Sequence, residues 1–293
     1  MAVVRRAKRG NIMDWLIYVM MVMVIVITLY PFVYVFSMSI SAPQHVVSGS
    51  VWLFPKGFSI ESYKRVFENE DIWVAYYNTI FYTVVGTMLN LIFTILAAYP
   101  LSRRTFFARN WIMVIIVITM FFGGGLIPSF LLIKELGLYN TRWAILLPGL
   151  TSAFYIIITR SFLQSIPESL TESARIDGAN DIRILLQIIL PLSKPILAVL
   201  TLFYAVGHWN SYVPAMIYLS NVNLQPMSLY LMKVLVQNNN SMLEGMSDQL
   251  DRALFAIQLK YAIIIVSIVP ILIVYPFLQR YFVKGVMIGS LKE

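Results

Sequence analysis

The sequence predicts an all-α, polytopic membrane protein with six transmembrane helices and a helix–glycine–helix elbow between the fourth and fifth. Three observations carry this expectation. Of 293 residues, 59% are hydrophobic and only 12% are charged, about half the charged share of a soluble domain. Mean hydropathy is +0.76. Six apolar runs approach the roughly 20 residues that a bilayer crossing needs, and the basic residues fall mostly on one side of the topology that those runs define.

The runs span about residues 15–37, 72–101, 111–133, 143–159, 195–219 and 261–279. The first is too long for the apolar segment of a signal peptide, and no small-residue cleavage site follows it, so it reads as a permanent span. The fourth is short enough to require a tilt or an interfacial end. The whole chain, 1–293, reads as one membrane domain. With the N-terminus in the cytoplasm, 14 of the 22 Lys and Arg residues lie inside and 8 outside. The clusters at 5–9 and 103–109 weigh most, and both termini are expected in the cytoplasm.

Several chemistries are missing. Cysteine is absent, so there is neither disulfide nor thiolate chemistry. His45 and His208 stand 163 positions apart, outside any metal-ligand spacing. The net charge of +8 is accounted for by topology, and nucleic acid is not an expected partner. The spans hold no Asp or Glu, and residues 195–232 hold no charge at all. Ion-coupled carriers usually need a buried carboxylate. No phosphate-binding loop occurs, and Gly123-Gly124-Gly125 lacks the Lys that would follow one. With Pro128 close behind, the three glycines read as a bend. Serine hydrolase, zinc protease and kinase signatures are absent too. The chain is expected to be non-catalytic and to hold no cofactor. Any energy source lies on another chain.

Residues 165–191 stand apart. Ser165 is placed to cap a helix, with Pro167 in its first turn and Glu168 at the capping-box position. Gly178 suits a left-handed C-terminus. A second amphipathic helix is expected from about Ala179 to Leu190, with Pro191 and Pro195 marking entry to the fifth span. The first arm carries Glu172, Ser173, Ala174, Arg175 and Asp177. Small residues admit a close neighbour and charges orient it, which suits docking into a partner's groove. A helix lying on lipid headgroups has the same features, and the residues leave both readings open.

The pattern Glu172-Ser173-Ala174-x-x-Asp177-Gly178-Ala179, followed by Ile188 and Leu190-Pro191, resembles the coupling motif of ATP-binding-cassette importer permeases. Their usual Glu-Ala-Ala has a small-for-small departure at Ser173. The resemblance covers nearly the whole chain. Asn78-Thr79, Ala98-Tyr99-Pro100-Leu101-Ser102-Arg103, Leu136-Gly137-Leu138-Tyr139-Asn140-Thr141 and Trp209-Asn210 are similar to segments of sugar and oligosaccharide permeases. The tail Tyr275 to Lys292 resembles the smaller permease of importers for alginate or pectin fragments. The resemblance implies a bacterial inner-membrane complex. Its other members are a second, different permease, two ATP-binding-cassette ATPases holding ATP and magnesium, and a soluble substrate-binding protein. It further implies that Glu172 orients the elbow by charge, that Gly178 permits its bend, and that Lys284, Gly289 and Lys292 reach the ATPase interface.

A sugar path needs hydrogen-bonding groups and aromatic faces along a wet route. His208, Trp209, Asn210 and Tyr212 on the fifth span, and Asn78 and Tyr82 on the second, are the candidates, with Thr79 and Asn90 beside the latter. Hydrogen bonding between helices is the alternative role for each, and the partner permease is the alternative holder of the sugar. Rival functions are a permease of the same superfamily for another cargo, an ion-coupled secondary transporter, and, least in keeping with the residues, an intramembrane enzyme.

Overall fold

The computed structural model describes residues 12–237 and 249–290, with side chains of 237, 249–254, 275 and 277–290 left out. The regular structure of the described residues is helical. They hold no strand, only an isolated bridge between Ser41 and Phe58. The chain divides into two compact units.

The first unit contains α1 (Ile12–Ser39), the short helices α2 (Pro43–Val47) and α3 (Glu61–Glu68), and the first part of α15 (Gln249–Ser290). Every side chain of α1 from Ile12 through Val33 is exposed. A helix apolar on all faces and covered on none is stable only in lipid or against another membrane helix. Its last turn is different. Ser37 Oγ donates to Leu53 O at 2.6 Å, and Ser41 O receives Gln258 Nε2 at 2.6 Å. Ser39 Oγ and Tyr63 OH share a hydrogen bond of 2.7 Å. Burial pushes the Tyr63 phenol above its ordinary pKa, and the Ser39 bond partly offsets this.

The second unit is organised by α4 (Glu70–Ser102). Its 33 residues extend about 50 Å at 1.5 Å per residue, well beyond a hydrocarbon core of roughly 30 Å. Around it lie α5 (Arg109–Phe121), α6 (Leu126–Glu135), α7 (Trp143–Leu146), α8 (Ala153–Gln164), α9 (Glu168–Ile176), α10 (Asp181–Ile184), α11 (Leu190–Leu192), α12 (Lys194–Trp209), α13 (Val213–Tyr218), α14 (Met227–Gln237) and the remainder of α15. Two apolar clusters sit at opposite ends of α4. One gathers Tyr82, Ile133, Ala144, Leu146, Ala215 and Leu229. The other gathers Ala98, Leu101, Met113, Ile156, Leu163 and Ile189.

Among the described residues three helices, α1, α4 and Phe255–Val274 within α15, are each long and apolar enough to cross a bilayer, and two bent pairs bring the count to as many as five. Three expected spans are not single helices. Residues 111–133 divide into α5 and α6, bent by 114°. The break falls on the three glycines, where Gly125 adopts φ +80°, so the bend expected there is present. Residues 143–159 divide into α7 and α8, because Pro148 and Gly149 end the first helix. Residues 195–219 divide into α12 and α13 at Asn210–Tyr212, with Pro214 in the first turn of α13.

Candidate functional site: the helix–glycine–helix elbow and the polar face of α4

The elbow forms as two short helices around Gly178, with one correction at its start. Ser165 does not cap α9. Its hydroxyl turns back to Phe162 O at 2.7 Å, at the end of α8. Pro167 occupies the cap position, and α9 begins at Glu168. Ser165 thus stands two residues before the cap position, and its hydroxyl closes the end of α8 instead. At the other end, Gly178 takes φ +81°. Ala179 N donates to Ala174 O at 2.9 Å and Gly178 N to Arg175 O at 3.0 Å, the paired bonds of a Schellman closure. A Cβ on Gly178 would meet nothing within 4 Å. Glycine is therefore required by the backbone angle and not by space.

The second arm also departs from expectation. It starts at Asp181, because Asn180 Oδ1 accepts from Arg183 N at 2.8 Å and caps it. It continues to Leu192, past Pro191. A π turn over Leu185–Ile189 makes this possible. Pro191 has no N–H for the preceding turn and its ring crowds the Gln187 carbonyl. The wider turn relieves both. The chain then bends 80° into α12.

The motif residues divide between two faces. Thr171 and Ala174, three apart, are buried. Ala174 joins Ile184, Leu185 and Ile189 in the cluster at the Tyr99 end of α4. Glu172, Ser173, Asp177, Gly178 and Pro191 are exposed, and Ala179 is half-buried. Arg175 Nη2 pairs with Asp181 Oδ1 at 3.0 Å across the turn, and that hydrogen bond and charge raise the guanidinium pKa further. Tyr99 OH donates to Asp181 O at 3.4 Å, joining α4 to the elbow. The outer surface also shows Ile176, Ile182 and Leu186, at 87%, 69% and 56% exposure. Apolar residues beside uncommitted charges mark a surface that meets something else.

The candidate path residues on α4 lie on one face. Asn78, Tyr82, Gly86, Asn90 and Thr94 recur every four residues and are buried, as a helix face requires. Asn78 Nδ2 donates to Asn223 O at 2.7 Å and Gln225 O at 3.2 Å, and its Oδ1 accepts from Arg142 Nη2 at 3.2 Å. Tyr82 OH donates to Leu224 O at 2.8 Å. Both side chains thus hold the 221–225 loop. Asn140, at φ +58°, ties the same region, donating from N to Tyr218 O and accepting from Asn221 N.

Lower on α4, Asn90 Nδ2 donates to Gly149 O and Leu150 O, at 2.5 and 2.9 Å. Its Oδ1 therefore faces His208 Nε2, 2.6 Å away. Since Oδ1 only accepts, Nε2 must carry the proton. The ring lies close to α4 because Gly86 has no side chain. A Cβ there would stand 2.5 Å from Nε2. Thr94 Oγ1 and Tyr204 OH share a further bond of 2.7 Å, a pair that the sequence analysis did not single out, although Thr94 continues the four-residue spacing.

Trp209 lines an apolar cavity of about 380 Å³ with Ile80, Val84, Leu202, Pro270 and Val274. Asn210 and Tyr212 are exposed at the break between α12 and α13. The structure thus brings His208 to α4, and leaves Asn210 and Tyr212 free of it. Lys284 and Gly289 lie on the α15 backbone, but their side chains, and Lys292 altogether, are outside the described residues. Among the described residues no cluster of His, Asp and Glu could hold a metal.

An all-helical chain with lipid-dependent apolar helices, an exposed elbow and a buried polar helix face is a membrane transport component. It belongs to the family described as binding-protein-dependent transport system inner membrane component, whose model matches residues 90–288. The family is one of transport permeases, not of catalysts. The chain is 39% identical over 285 residues to the polygalacturonan/rhamnogalacturonan transport system permease protein YtcP of Bacillus subtilis (strain 168), covering 97% of this chain and 99% of that one. It is 40% identical to Protein LplC of the same organism, over 87% of this chain and 86% of that one. Among solved structures, it is similar to a chain of a bacterial ABC transporter involved in the import of the acidic polysaccharide alginate. That match has a TM-score of 0.85 and 38% identity, and covers 96% of this chain and 100% of that one.

Proposed function

We propose that this chain is the smaller permease subunit of an ATP-driven importer carrying fragments of acidic polysaccharide, of the pectin or alginate type, across a bacterial inner membrane. The observation that carries the reading is the exposed elbow: Glu172, Ser173, Asp177 and Gly178 point away from the bundle on a rigid turn whose other face is packed into it. The similarity to permeases named for polygalacturonan and alginate supports the cargo class.

In this reading the chain makes six crossings, three of them through bent or broken helices, with both termini and the elbow in the cytoplasm. A second, different permease pairs with it. Two ATPases, holding ATP and magnesium, dock beneath, one of them against the elbow, and a soluble binding protein delivers the sugar outside. When the ATPases close on ATP, the groove carries the elbow with it. The cluster of Ala174, Ile184 and Ile189 passes the movement to the Tyr99 end of α4. Glu172 and Asp177 orient the elbow by charge, and Lys284, Gly289 and Lys292 belong to the same interface. Asn210 and Tyr212 face the sugar path with Trp209 at its apolar side, while His208, Asn78 and Tyr82 hold its wall in shape.

The test is a mild-detergent pull-down of the tagged chain from its native membrane, with partners identified by mass spectrometry, beside uptake of labelled oligogalacturonate. Recovery of a second permease and an ATPase is expected, with both ATPase recovery and uptake lost in Glu172→Lys. Recovery of the chain alone, or uptake that an uncoupler abolishes and ATPase loss does not, overturns the reading.

A further inference from the structure

At the Ser102 end of α4 a cavity of about 450 Å³ is lined by Arg103, Arg104, Arg109 and Arg160, with Pro167 and Glu168 at its edge. Four guanidinium groups thus face one carboxylate, and Glu168 lies 3.8 Å from Arg104 alone. Converging like charges repel unless an anion joins them. Arg103 shows the deficit most clearly. Its guanidinium is stacked over the Tyr99 ring at 4.6 Å, and Nε and Nη2, shielded from solvent and without an acceptor, reach a phosphate in the cavity only when the side chain turns off that ring. Buried charged donors are normally satisfied. Arg160 is fixed in place by the bond from its Nε to Leu101 O at 2.9 Å, which leaves its terminal nitrogens uncommitted.

The backbone adds to this field. Arg109 opens α5, a 13-residue helix with no capping side chain and no acidic residue in its first turn. Pro167 precedes α9, which also has no side-chain cap. Helix starts carry positive partial charge and unpaired N–H groups, and the start of α5 adds to the arginines where Arg109 lines the cavity, whereas Glu168 in the first turn of α9 offsets that helix's share. On the adjoining surface, Phe107 and Trp111 are 92% and 78% exposed. Exposed aromatics beside arginines are the composition of a membrane interface.

We propose that this cavity holds the phosphate of an anionic phospholipid headgroup, with Arg103, Arg109 and Arg160 on its oxygens and Phe107 and Trp111 among its acyl chains. Arginine suits this because its planar fork meets two phosphate oxygens at once. The aromatic pair favours a lipid over free phosphate, which has no apolar part to bury. The inference rests on the chain being membrane-spanning with this end in the cytoplasmic leaflet. It is independent of cargo.

The test uses the full chain, purified and delipidated in neutral detergent. Native mass spectrometry measures retention of phosphatidylglycerol against phosphatidylcholine, with inorganic phosphate as competitor. Phosphatidylglycerol is expected to bind about tenfold more tightly, a factor of the size that charge-assisted contacts supply. Arg103→Gln removes that preference. Arg109→Gln, at a helix start and outside the apolar clusters, removes it too and serves where Arg103→Gln fails to fold. Arg183→Gln, on the elbow and away from the cavity, keeps it. Equal retention of the two lipids, a preference that survives both cavity variants, or occupancy by inorganic phosphate with no lipid bound would each overturn the proposal. A pull-down of partner subunits on the same variants separates this failure from failure of the importer reading.

Discussion

At its Asn78 end α4 is tied by three hydrogen bonds to the carbonyls of one loop, whereas at its Tyr99 end a long bond to Asp181 O accompanies apolar packing and exposed charge on the elbow. Asn78 and Tyr82 reach the 221–225 loop by three hydrogen bonds. Around Tyr99 the helix packs on Ile156, Leu163, Ala174 and Ile189, and the elbow there is braced by a half-exposed ion pair. Hydrogen bonds fix one geometry. Apolar contacts permit small sliding without leaving a buried donor unmet. The first end is suited to a fixed wall, the second to a part that moves.

That contrast predicts where substitutions act on stability and where on coupling. The largest stability effect belongs to the fixed end. Asn78→Leu strands two carbonyls and Arg142 Nη2, and is expected to cost about 3 kcal/mol or more, at about 1–3 per orphaned group. The check is a lowered thermal unfolding midpoint in detergent. Gly86→Val comes next. Its side chain collides with the His208 ring, and a cost of about 2–3 kcal/mol is expected from overpacking. Uptake and unfolding midpoint should fall together, and an unchanged midpoint would show that α4 and α12 part easily.

At the moving end stability and function should separate. Gly178→Val forces a β-branched residue into the left-handed region at about 1–2 kcal/mol, with no clash. It should lower the unfolding midpoint less than either substitution at the fixed end and yet sharply reduce ATP-driven uptake, while Gly178→Asn, a residue that tolerates that region, should keep both. Equal loss of uptake in the two variants would mean that the surface of the turn, and not its angle, is what the partner reads. The smallest effect is expected for the Arg175–Asp181 pair. As an exposed ion pair it contributes at most about 0.5–1 kcal/mol, and a double-mutant cycle on Arg175→Gln and Asp181→Asn measures it.

Much of the elbow was legible in the sequence, because glycine at a helix end and an amphipathic pattern are local signals. Its details were not. Ser165 is expected as a cap, accepting from a free N–H of the next helix, but α9 starts only after Pro167 and the hydroxyl donates to Phe162 O instead. Pro191 was read as a stop, although a π turn let the helix pass it. The polar residues of α4 were legible by spacing. Their partners were not, since Asn78 bonds to carbonyls 145 and 147 positions away and a carbonyl leaves no mark in a sequence. The broken spans were partly legible. Three consecutive glycines announced a bend, whereas Pro148-Gly149 and Asn210-Ser211 sit inside apolar runs whose hydropathy hides the interruption. Arg103, Arg104, Arg109 and Arg160 read as markers of sidedness, and Arg103 also as the last residue of a segment similar to sugar permeases. Their convergence depends on the end of α8 returning to the end of α4.

The contact between Gly86 and His208 has a consequence for descent as well as for stability. The two positions share a single volume, 2.5 Å being the space left between an added methyl and the ring. A lineage that enlarges residue 86 while keeping the imidazole bears the cost of moving the ring, and one that has first lost the ring does not. The order smaller at 208, then larger at 86, is therefore the less costly route, and the reverse order passes through a destabilised chain.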